Sequence, residues 1–351
     1  MTKLLKDIHR HTLCRSLMSV AAYSVLLFTA ISCAQDMPST PQQEQIPISM
    51  SASAVESMES TRALITDDNG LQEVGFGVYA TKKVASNNPV LVFDNEKVYY
   101  SSVWKYDNTK YWDRTATYNF VAYAPYSVSV SASTSYALST NTLTIKDIPY
   151  WQTINKDVTD YLVANSSGSA DYYLTQQQTS TAVNFNFSHI LSQLVINVVK
   201  DANLTNTEYK VKKIEYINVP ASEGKANCTY SSPSSTPSFS EISITSSSSN
   251  PSSVSMLTGE MVVTLADAND IITLPHLVVP FTLSDKKVQV EVTYTVAGTE
   301  RNKTVDTGIT QLEAGKRYEL TLTFKGADIV PSLSIEPWTD VSVDEDPKYN
   351  W

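Results

Sequence analysis

The chain has 351 residues, 42% of them hydrophobic and 18% charged, with a formal net charge of -10. This is enough for two ordinary domains with real cores, which excludes a disordered polypeptide. The acidic balance excludes a nucleic-acid binder, which needs basic groups to replace the counterions on phosphate.

Lys3, Lys6, Arg10 and Arg15 make a basic start, followed by an apolar run from Leu17 to Ile31 that ends in Ala30-Ile31-Ser32-Cys33. A charged region, an apolar region and a small-residue cleavage point are the parts of an export signal. The run is short of the about 20 apolar residues a spanning helix needs. Its ending resembles a bacterial lipobox. There the Cys33 thiol accepts a diacylglycerol and Ser32 supplies the small residue the peptidase requires; Ala30 stands where the usual pattern has Leu. The plainer alternative is an ordinary signal with an incidental cysteine. Acyl chains contribute about 0.8 kcal/mol per buried CH₂, so two or three hold a protein firmly on a membrane. With Cys14 in the signal and Cys33 acylated, Cys228 is the one cysteine left, so no disulfide framework is expected.

Residues 34–62 are polar and rich in Pro, Gln and Ser, which suits a tether or a detachable leader. Within them, Ile46-Pro47-Ile48-Ser49-Met50 suits one short strand. After Arg62 the pattern changes. Val74 to Ala80 alternates as a strand, and Val90–Phe93 and Lys97–Ser101 predict a hairpin around Asp94-Asn95-Glu96. Tyr118–Ala124 is a strand stopped by Pro125, and shorter strands are expected at Tyr136–Leu138, Leu143–Ile145 and Tyr161–Val163. From Val183, the residues Phe185, Phe187, Ile190, Leu194, Ile196 and Val198 read as one long apolar strand, irregular near Ser188-His189. Strands then follow at Val211–Val219, Lys225–Tyr230, Ile271–Phe281, Val288–Val296 and Tyr318–Phe324. Pro275 and Pro280 make Ile271–Phe281 an edge strand or a broken one. Residues 231–255, mostly Ser, Pro and Thr, read as a flexible loop. The fold class is therefore all-β, built as two antiparallel sandwiches. The expected parts are the signal at 1–33, the leader at 34–62, and sandwiches at 63–183 and 184–351.

Chemistry is hard to find. His189 and His276 sit in strand-like apolar contexts and read as structural. No His-Glu-x-x-His, Cys-x-x-Cys or Gly-x-Ser-x-Gly is present, so no metal, cofactor or catalytic site is expected. Gly315-Lys316 lacks the earlier Gly of a phosphate loop, and Asp67-Asp68-Asn69-Gly70 reads as a turn rather than a calcium loop. Asp340, Asp344, Glu345 and Asp346 read as a solvated tail rather than an acid–base pair. Trp104, Tyr106 and Trp112 lie in an aromatic-rich stretch. They could form an exposed platform for sugar rings, although core filling is the simpler reading.

The order and spacing of several pieces resemble the fimbrillins, the pilus subunits of Bacteroidetes, and most closely their Mfa-like branch. The pieces are Cys33, Arg62-Ala63-Leu64-Ile65, Val74 to Ala80, Trp112 with Tyr118 to Pro125, Phe187 to Leu194, Leu312 to Tyr318, and Glu336-Pro337-Trp338-Thr339-Asp340. The resemblance implies two transthyretin-like sandwiches on an outer-membrane lipoprotein assembled into a fimbrium. It implies an Arg-specific protease cutting after Arg62, so that Ala63 becomes the new start. It also implies other subunits, self or sibling, as partners by strand addition, and adhesion to a host or bacterial surface ligand. The competing reading is a surface glycan-binding lipoprotein that does not polymerise.

Overall fold

The computed structural model describes residues 45–54, 64–65, 67–154, 158–176, 182–219, 224–232, 237–243, 252–257, 263–266 and 270–338. Cys33, Arg62, Ala63 and the acidic tail lie outside them. Most of the described chain is strand, as its β-branched and aromatic composition favours.

Four main sheets carry the fold. The first has seven strands in the order Ser49–Ala54, Ala182–His189, Leu162–Ser169, Ala116–Ala124, Phe76–Val84, Val90–Tyr100 and Trp104–Lys105. Cores lie on both of its faces. Phe76, Val78, Phe120 and Phe185 belong to one core. Tyr79, Val121, Tyr123 and Val163 belong to the other, together with Leu143, Ile145, Ala226 and Cys228 of a four-stranded sheet. Burial on both sides explains why Phe76 to Thr81 is buried without alternation. A close approach fixes Gly77, where a Cβ would lie 2.4 Å from the Tyr123 ring.

Two five-stranded sheets enclose the remaining core, which includes Leu194, Ile196, Tyr209, Tyr216, Leu320 and Phe324. Most pairings are antiparallel. Two are parallel: Ser49–Ala54 with Ala182–His189, and Ser192–Lys200 with Lys316–Lys325. Hydrogen bonding crosses residues 183/184 in both directions. Lys225–Ser231 pairs with Thr142–Pro149, and Trp151–Thr153 pairs with Ile271–Val278.

Several local expectations are corrected. Val90–Tyr100 is one strand and not a hairpin. The register jumps from Val78↔Glu96 to Ala80↔Phe93, so Asp94 and Asn95 together oppose Tyr79 in a bulge, with Asn95 at φ +51. The long apolar strand from Val183 is two strands, Ala182–His189 and Ser192–Lys200, which belong to different sheets. Of the two readings of Ile271–Phe281, the broken strand holds: Ile271–Val278 ends before Pro280, and Phe281–Thr282 pairs in a separate sheet. Ile271–Val278 itself has a neighbour on each side, with Trp151–Thr153 paired to His276–Val278 only. Within 231–255, Ser238–Ser243 and the first residues of Ser252–Leu257 are strands. Both are outermost in their sheets, where backbone pairing on one side suffices despite a serine-rich sequence. Asp67 caps the helix Asp68–Val74 by accepting from the Gly70 N–H at 2.7 Å, which accounts for the Asp67–Gly70 cluster.

Candidate functional site

The segment Ile48-Ser49-Met50-Ser51-Ala52-Ser53-Ala54 alternates apolar and hydroxyl residues, so an extended backbone sends the apolar ones to one face. Ile48 is 1% exposed and Met50 5%, and both share a core with Phe76, Trp112, Phe185 and Phe187. Ser49 is exposed, and Ser51 and Ser53 are partly so. The strand runs parallel to Ala182–His189 in continuous register from Ser49↔Ala182 to Ala54↔Phe187.

Its other side is also held. Ile48 N–H donates to the Lys110 carbonyl at 2.8 Å, and Trp112 N–H donates to the Ile46 carbonyl at 2.9 Å. Pro47, which has no N–H, makes a single antiparallel bridge to Tyr111. The Tyr106 hydroxyl donates to the Ile48 carbonyl at 2.6 Å and accepts from Lys110 N–H at 3.2 Å. Burial raises the Tyr106 phenol above its ordinary value, so it remains a donor at neutral pH. The Ser49–Ala54 strand thus lies in a groove between Ala182–His189 and the chain around Tyr106 to Trp112. Ile48 and Met50 each contribute about 1.5–3 kcal/mol by burial.

The described residues on either side of Arg62 and Ala63 are held by specific contacts. Before it, Ala54 N–H donates to Asp68 Oδ1 at 2.8 Å. After it, Leu64 and Ile65 are buried, and Ile65 N–H donates to Asp160 Oδ2 at 3.1 Å. The other Asp160 oxygen lies 3.0 Å from His189 Nδ1, and the His189 ring stacks on Trp338 at 3.8 Å between centroids. Asp160 and His189 are both buried, so this pair holds the backbone at Ile65 from inside the protein.

The aromatic residues singled out from the sequence lie beside this groove. Trp104 is half-buried, with its ring edge-on to Phe76 at 5.0 Å and to Tyr100 at 5.3 Å. Tyr106 meets Phe93 at 5.1 Å. Trp112 is 8% exposed, stacked on Tyr173 at 4.9 Å and edge-on to Tyr118 at 4.8 Å. Tyr111 belongs to the aromatic-rich stretch of the sequence, whereas Asn184, Asn186 and Asp160 were not expected at this site. The alternation Val183-Asn184-Phe185-Asn186-Phe187 carried a signal for the two asparagines; Asp160 had none.

The chain is similar to several known proteins. A family model described as fimbrillin-like matches residues 61–338. The fimbrium subunit Fim1C of Phocaeicola vulgatus is 26% identical in an alignment of 174 residues that covers 43% of this chain and 44% of that protein. The aligned part thus spans less than half the length of the curated relative. The crystal structure of a fimbrial protein from Bacteroides vulgatus covers 84% of this chain and 99% of its own, at 19% identity and a TM-score of 0.49. The C-terminally truncated tip fimbrial protein Mfa3 of Porphyromonas gingivalis covers 84% of this chain and 100% of its own, at 10% identity and a TM-score of 0.39. The family match extends over well more than half of the sequence, and the chain belongs to the fimbrillin-like family.

Proposed function

We propose that this chain is a structural subunit of a cell-surface fimbrium with a role in adhesion, exported as a lipoprotein through Cys33. Cleavage after Arg62 frees the leader, and a strand from another subunit takes its place in the groove. The observation that carries this reading is the position of Ser49–Ala54. It lies upstream of Arg62, yet it supplies an outermost strand and buried side chains to the first sheet. A strand lost there uncovers unpaired backbone groups on Ala182–His189 and an apolar trench beside Phe185 and Phe187, both of which favour a replacement strand. The family match begins at residue 61, just ahead of the expected cut, which also supports the reading.

The test is to treat the purified chain, lacking its signal, with an Arg-specific protease. A product beginning at Ala63, together with oligomers in a ladder of sizes, is expected. An intact leader, or a product that begins at Ala63 and stays monomeric, would refute the polymerising role.

A further inference from the structure

We propose that Asn184 and Asn186 are specificity-determining residues of the groove, and that they select a strand bearing hydroxyl side chains at alternate outward positions. This rests on the strand-replacement reading above and adds what the replacement must look like. The inward face of the groove asks only for apolar residues at every second position, a demand that many strands meet. The outward face is more particular. Ser51 donates to Asn184 Oδ1, and Ser53 donates to Asn186 Oδ1 at 3.1 Å. Both asparagines are exposed and sit between the buried Val183, Phe185 and Phe187, so their side chains stand on the solvent side of the sheet. A parallel strand puts its outward residues directly beside them, in the pairs Ser51↔Asn184 and Ser53↔Asn186.

Two consequences follow from this geometry. A strand with outward aliphatic residues fits the trench but makes neither side-chain bond. A strand with only two hydroxyls makes both bonds in one register, and a slip of two residues loses at least one of them. The leader has a spare hydroxyl in Ser49. The same spacing recurs in this chain on the outermost strand Asp328–Pro337, where Ser332 and Ser334 are exposed on either side of Leu333, which packs on a core. A second copy of this chain therefore carries a segment of the required chemistry.

The test uses synthetic peptides of residues 46–54 competing for the groove of the chain clipped at Arg62. One peptide carries Ser51→Thr and Ser53→Thr, the other Ser51→Val and Ser53→Val. Thr and Val match in shape and in strand preference, so they differ in the hydroxyl alone. The Thr peptide is expected to bind about fivefold more tightly, from two cross-strand pairs. That advantage should vanish on the Asn184→Ala, Asn186→Ala chain. Equal binding of the two peptides to the unaltered chain overturns the asparagine proposal and leaves the groove standing. Failure of both peptides to bind overturns the groove reading, and the proposal with it.

Discussion

Replacing Met50 by Asp should release the leader without any protease. Met50 is 5% exposed in a core of aromatic rings, and Ile48 and Ala54 are the other fully buried apolar side chains of the segment. The substitution forfeits about 1.5–3 kcal/mol of burial at Met50. It also sets a carboxylate in an apolar site, where desolvation costs several kcal/mol. Ile48 returns about 1.5–3 kcal/mol and Ala54 less, so the docked strand becomes the less stable arrangement. The readout is hydrogen exchange at the amides of Ala182–His189, with the oligomeric state followed by light scattering. Faster exchange and concentration-dependent oligomers are expected. Ser49→Asp is the matched control, because that side chain is already in solvent and the strand should stay docked. Unchanged protection in Met50→Asp, or equal release in Ser49→Asp, would refute the argument that inward burial holds the leader.

Tyr106→Phe removes the hydroxyl that joins the Ile48 carbonyl to Lys110 N–H. It should weaken leader docking by about 1 kcal/mol, seen as faster proteolysis of the leader with little change in the global unfolding midpoint. Gly77→Ala drives a methyl into the Tyr123 ring and should cost about 1–3 kcal/mol in urea denaturation, whereas no loss would show that the two strands can part freely. Burial among apolar neighbours pushes His276 down from 6.5 to about 4. Between those values the unfolded chain holds a proton that the folded chain refuses. The stability is therefore complete above about pH 6.5 and falls by about 3 kcal/mol as the pH drops to about 4. His276→Gln should abolish that part of the acid sensitivity, measured by denaturation at pH 7 and pH 4.5.

How much of this was legible in the sequence depended on range. The all-β class followed from local residue types. The leader strand was visible in outline at Ile46–Met50, but its true span is Ser49–Ala54. Pro47 cannot donate and makes only a bridge, while the small residues from Ala52 to Ala54 give little strand signal of their own. The bulge at Asp94-Asn95 imitated a hairpin because the same turn-forming residues serve both. Polar and serine-rich segments hid two outermost strands, whose pairing draws on backbone groups and not on side-chain pattern. The choice of partner was beyond local reading: nothing near Ser49 names Ala182–His189 as its neighbour, or makes the pairing parallel. The buried Asp160–His189 pair was equally hidden, since its role exists only once Ile65 and Trp338 arrive beside it.

The strand that cradles the leader ends at His189, and the chain enters the interior of another sheet at Ser192. Ser192–Lys200 is paired nearly along its whole length with a neighbour on each side. A pull directed along Ser192–Lys200 would therefore load two ladders of hydrogen bonds at once. Under a load along the strand those bonds share the force in shear. Were subunits joined through this strand, tension on it would be borne by paired sheet.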